Sequence, residues 1–94
     1  MSNVGRFTKR TTAKLDYLFD WSLWLETGET IVSYVLTVES GITKVSDAKV
    51  NSDKAVVVWL EGGILGERYI IDCTITTTST RIDPRRMEIE IGPY

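Results

Sequence analysis

Histidine is absent from the 94 residues, and cysteine occurs once, as Cys73. The first absence removes the commonest general base and the commonest metal ligand. The second excludes an intrachain disulfide, so the fold must hold by packing. Cys73 lies between Ile71 and Ile75 and reads as a small buried hydrophobe, since no histidine is present to activate it. No run approaches the roughly 20 apolar residues needed to cross a bilayer. The first residues, M-S-N-V-G-R-F-T-K-R-T-T-A-K, lack the apolar stretch of a signal peptide. A net charge of −2 gives no global reason to expect nucleic acid or an anionic membrane as partner.

Chemical motifs are equally sparse. No stretch matches the D-x-D-x-D-G spacing of a calcium loop. E-G-G-I-L-G at Glu61–Gly66 has the glycines of a phosphate loop but no following lysine or helix, so it reads as a strand corner. Ser22 has neither a base nor an elbow motif. Asp16 and Asp20 share one face of a strand, but a carboxylate pair without a pocket is weak evidence for glycoside chemistry. No catalytic, cofactor-binding or metal-binding residue is assigned.

What the chain does have is strand periodicity. With 43% hydrophobic and 26% charged residues it is ordinary for one globular domain. A chain of this size buries roughly 60–65% of its unfolded surface. In K-L-D-Y-L-F-D at 14–20, Leu15, Tyr17 and Phe19 alternate with Asp16 and Leu18. T-I-V-S-Y-V-L-T-V at 30–38 is rich in β-branched residues, with Val32, Tyr34, Leu36 and Val38 on one face. A weaker strand spans 42–50. Residues 54–60 form an almost continuous apolar run, as in a strand covered on both sides. Residues 67–77 put Tyr69, Ile71, Cys73 and Ile75 on one face. A polar loop is expected over 77–84, punctuated by Asp83-Pro84. Residues 86–91 close the fold, with Met87, Ile89 and Ile91 inside.

Two segments stand apart. Residues 1–13 carry Arg6, Lys9 and Arg10 with no acid before Asp16, and few apolar residues beyond Val4 and Phe7. They read as a flexible basic arm preceding a domain over 14–94. In W-S-L-W-L at 21–25, Asp20 is placed to cap one helical turn. That turn would set Trp21, Trp24 and Leu25 on one side, as a lid on the core or as a contact surface; continued extension would instead put Trp21, Leu23 and Leu25 on one face. About seven strands at roughly ten-residue intervals indicate an all-β sandwich or small barrel. Leu60, Gly66 and the Tyr69-x-Ile71-x-Cys73-x-Ile75 run resemble the E–F corner of immunoglobulin and fibronectin type III domains. There a tyrosine hydroxyl bonds back to the corner backbone.

Five blocks, taken in order, carry a wider resemblance: D-Y-L-F-D-W-S-L-W-L at 16–25, G-E-T-I-V-S-Y at 28–34, G-I-T-K-V-S-D at 41–47, V-W-L-E-G-G-I-L-G-E-R-Y at 58–69 and I-T-T-T-S-T-R-I-D-P-R-R-M-E-I-E-I at 75–91. Together they resemble a family of small tailed-bacteriophage virion proteins, the fibre-tail adaptor or phage structural proteins. The resemblance implies an immunoglobulin-like module that is not an enzyme and carries no cofactor. It implies a place in the virion tail or neck, in several copies on a ring, after synthesis in the host cytoplasm without a signal peptide. Its partners would be other virion proteins, such as tail, neck or fibre proteins, and not nucleic acid, membrane or a small substrate. Under it, Arg6, Phe7, Lys9 and Arg10 of the arm, Trp21 and Trp24, and Arg81, Arg85 and Arg86 are the candidate partner-binding residues. The alternatives are a capsid decoration protein and a glycan-binding module using Trp21, Trp24 and Asp20.

Overall fold

A computed structural model describes residues 2–93, with side chains for residues 5–93. These residues form seven strands: β1 (Ser2–Lys9), β2 (Lys14–Asp20), β3 (Ile31–Val38), β4 (Ile42–Val50), β5 (Ala55–Gly62), β6 (Arg68–Thr77) and β7 (Ile82–Ile91). They make two sheets, ordered β1-β7-β6-β3 and β2-β5-β4. Every pairing is antiparallel except β1 on β7, which is parallel.

The sheets pack face to face because the strands alternate as their sequences demand. Val56, Val58 and Leu60 of β5 point inward and are fully buried. They meet Ile71, Cys73 and Ile75 of β6 and Met87, Ile89 and Ile91 of β7 in one cluster, with Tyr17 and Phe19 of β2. The apolar run of 54–60 thus becomes the central strand of the three-stranded sheet. Trp59, on the opposite face of β5, is only half-buried. Burying one such aliphatic side chain contributes about 1.5–3 kcal/mol; with no disulfide possible, this core carries the fold.

Three sequence expectations change. Residues 2–9 are not a loose arm but edge strand β1, in register with Arg85–Ile91. A parallel partner distant in sequence leaves no local signal, because no hairpin joins the two strands. Val32 is exposed although its expected face-mates Tyr34, Leu36 and Val38 are half-buried. A register shift between Ile31 and Ser33 buries Ile31 and turns Val32 outward. The loop expected over 77–84 shrinks, since β7 begins at Ile82 and runs through Pro84. The Thr77 N–H donates to the Arg81 carbonyl, and alternation from that bond turns the Pro84 nitrogen away from β6. The described part of β1 pairs with β7 only from Arg85 onward, so the missing N–H forfeits no ladder bond.

The tyrosine corner forms as the sequence suggests. Tyr69 is buried, and its hydroxyl accepts a hydrogen bond from the Ile64 N–H at 3.0 Å. Its ring lies against Gly41, where an added Cβ would stand 2.7 Å from a ring carbon and the backbone has φ +108°. Only glycine fits there. Tyr69→Phe keeps the ring and removes the acceptor. It is expected to destabilise the fold by about 1–2 kcal/mol with an unchanged denaturant slope, as read by urea unfolding. No loss of stability would mean that the corner bond contributes nothing.

Candidate interaction surface

The β2–β3, β4–β5 and β6–β7 connections meet at one end of the sandwich. The Trp21 N–H donates to the Lys54 carbonyl at 3.0 Å, Ile31 N–H to Asp53 at 2.8 Å and Thr78 N–H to Thr30 at 2.9 Å. The longest of the three, residues 21–30, leaves β2 in a single turn. Asp20 accepts the Ser22 N–H at 2.9 Å, and the Trp24 and Leu25 N–H groups donate to the Trp21 carbonyl at 2.9 and 3.0 Å. Of the two conformations open from the sequence, this is the capped turn and not the continued strand.

The turn divides its residues sharply. Trp21 is fully buried and stacks on Phe19 at a centroid distance of 6.0 Å. Its indole N–H donates to the Asp83 carboxylate at 2.8 Å. The Arg85 guanidinium sits 4.8 Å from the same ring and donates to the Asp20 carbonyl at 2.6 Å. Trp24 is half-buried beneath the Arg81 guanidinium, 3.9 Å from its ring. Cation–π contacts of this kind contribute about 0.5–2 kcal/mol, more as they are desolvated. Leu23, on the far side of the turn, is fully exposed at 102%.

Glu29 fastens this end. It is 2% exposed, and its carboxylate accepts hydrogen bonds from the Arg81 guanidinium, the Thr77 hydroxyl and the Glu26 N–H. The Arg81 bonds, followed by those from Glu26 and Thr77, hold its carboxyl down to about 2. One acid therefore ties the 21–30 segment to the β6–β7 connection.

The remaining candidate residues scatter. Lys9 is 2% exposed, and its ammonium donates to the carbonyls of Arg10 and Gly62, each at 2.7 Å. Burial lowers its pKa, partly opposed by Glu61. The Lys9 ammonium is thus bonded inside the fold instead of standing free on an arm. Phe7 is half-buried against Tyr17, with ring centroids 5.6 Å apart. Arg10 is exposed at the end of the molecule opposite Trp21. Arg6 pairs with Glu88 at 2.9 Å while 58% exposed, a contact that contributes about 0–1 kcal/mol. Arg86 makes two bonds to Asp72, at 2.9 and 3.2 Å, on the outer face of the four-stranded sheet. Only Trp21, Trp24, Arg81 and Arg85 of the nine come together.

Chemically, this end is suited to contact. Among the described residues no group of three His, Cys, Asp or Glu side chains could hold a metal ion. Cys73 is buried, which pushes its thiol up to about 12. Residues 9–90 match the family described as podophage GP4 fiber-tail adaptor protein gp77. The chain belongs to this family. No curated protein matches it. The match runs from the last residue of β1 to the penultimate residue of β7, so it covers the whole loop end of this adaptor-family member. Family membership also bears out the tailed-phage resemblance carried by the five sequence blocks.

Leu23 is the residue missing from the sequence-based candidates. The signal was present: a turn that gathers Trp21, Trp24 and Leu25 necessarily turns Leu23 the other way.

The Glu29 lock has a pH signature. A carboxyl held at about 2 stabilises the fold above its ordinary value near 4.5. That contribution is lost as the pH falls from there toward about 2. Melting temperatures of the parent chain should drop across this window. Glu29→Gln should melt lower at neutral pH and show a shallower drop. Parallel pH profiles for the two proteins would contradict the lock.

Proposed function

We propose that this chain is a non-enzymatic structural component of a tailed-phage virion, an adaptor that joins fibres or a neighbouring ring of proteins to the tail or neck. The observation that carries this reading is the adaptor-family match over residues 9–90. Its site is the loop end, where a hydrogen-bonded turn presents Leu23 to solvent and Arg81, over Trp24, keeps a partly exposed guanidinium. An apolar side chain held on a preorganised turn loses little entropy on docking. Several copies on a ring would add affinity by multivalency. Arg10 and the weakly paired Arg6 would form a second, polar contact along β1.

The module reads as immunoglobulin-type. Its β2-β5-β4 and β7-β6-β3 orders correspond to the B-E-D and G-F-C orders of that sandwich. The first strand here lies on the G–F–C side. The Tyr69 corner supports the same reading.

Leu23→Asp changes a side chain with no role in the core. The melting temperature should stay the same, while fibre occupancy on particles assembled with the variant falls severalfold, as counted by quantitative mass spectrometry of purified virions. Full fibre occupancy would remove the loop end from the fibre contact. Particles that keep their fibres but lose a capsid-surface copy of this chain would favour the decoration reading.

A further inference from the structure

We propose that the free edge of β3 pairs antiparallel with β3 of a second copy of this chain, with Leu36 on the twofold axis. β3 is an outermost strand, with β6 as its one neighbour among the described residues. Its sequence, I-V-S-Y-V-L-T-V, holds no charge, proline or glycine. The other three edges are blunted. β1 has a bulge and Arg6, β2 carries Asp16, and β4 has a bulge and Lys44. Charges and bulges are the ordinary devices against strand addition. Only β3 carries no charge along its length, and its one register shift lies at its start, between Ile31 and Ser33.

The backbone defines which groups remain to be paired. The Glu39 N–H donates to the Ile70 carbonyl, so alternation directs the odd-numbered residues of β3 to β6. Tyr34, Leu36 and Val38 then present their N–H and C=O groups at the open edge. Toward the start of the strand, the Lys49 ammonium donates to the carbonyls of Ile31 and Val32 at 3.4 and 3.3 Å. It takes the place of a partner strand there and leaves the centre and far end open. A twofold axis at Leu36 sets Tyr34 opposite Val38 in both directions and satisfies all three exposed residues.

Charge selects a second copy. Antiparallel pairing brings Lys49, at the start of one β3 and 3.9 Å from its own Asp53, toward Glu39, just past the end of the other, whose carboxylate also accepts the Ile70 N–H, and does so twice. The strand's own central residues are uncharged and set no like charges opposite each other, and the Asp47 carboxylate that accepts from the Tyr34 hydroxyl is paired with Lys44. On the outer face Val35, 68% exposed, would lie beside Thr37 of the second copy.

Sedimentation of the full chain from micromolar to near-millimolar concentration tests the pairing. The parent chain should shift from monomer to dimer. Val35→Lys should remain monomeric with an unchanged melting temperature, and Val35→Thr should still dimerise. Thr37→Lys, also at an exposed position, repeats the test should Val35→Lys melt early. Mixing Val35→Cys with Thr37→Cys should give a disulfide-linked dimer of the two variants. A parent chain that stays monomeric throughout, or undiminished dimer with both lysine variants, would overturn the proposal. So would a monomeric parent whose Val35→Lys variant drops out of particles, which would assign the edge to a strand of another virion protein. None of these readouts depends on Leu23, so the edge can fail while the adaptor reading stands.

Discussion

The carboxylate of Glu29 is the interaction on which the candidate surface depends. An ionised acid at 2% exposure is tolerable only if its oxygens are bonded. Here Arg81, Thr77 and Glu26 supply those bonds. Because Glu26 lies within the 21–30 segment while Thr77 and Arg81 flank the β6–β7 connection, the acid decides where that segment lies relative to β6 and β7. Arg81, once fixed, covers Trp24, and Trp24 belongs to the same one-turn element as Trp21 and Leu23. The exposure of Leu23 follows from the burial of its neighbours.

The second constraint is the sandwich core. Apart from Ala55 at the start of β5, each buried residue of β5, β6 and β7 occupies the position its two-residue alternation assigns. A scaffold held by β-sheet ladders and an apolar core leaves its connections free to vary, and that is where contact surfaces ordinarily sit. At one end of this molecule the corner of Tyr69, Gly41 and Ile64 closes the sandwich. At the other, polar side chains and tryptophans lock three connections together. The two ends use different chemistry because one closes over a single aromatic ring and the other must seat two indoles and a buried acid.

Much of this was legible in the sequence, for a physical reason. β2 at 14–20 and β4 at 42–50 have the bounds their patterns indicate, since local alternation and turn residues mark both. The Tyr69 corner and the buried face of β6 were equally visible. What escaped depends on partners far away in the chain. β1 is defined by β7, more than 80 residues on. Pro84 fits a strand only because no described part of β1 lies beside it. Lys9 looked like a free charge until Gly62 supplied a carbonyl from across the fold. Arg86 belonged with Arg81 and Arg85 by sequence, yet Asp72 holds it on the outer face of the sheet. The Trp21–Leu25 turn was readable, but its consequence for Leu23 emerges only once the buried side is known.

The loop end of this adaptor-family module is the surface proposed to meet its neighbour in the particle. The most direct test is a reconstruction of the intact virion at a resolution that places side chains. The account expects this sandwich at the junction of tail and fibres, with Leu23 and Arg81 packed against another virion protein. The same chain found on the capsid shell, or at the junction with that end turned to solvent, would contradict it.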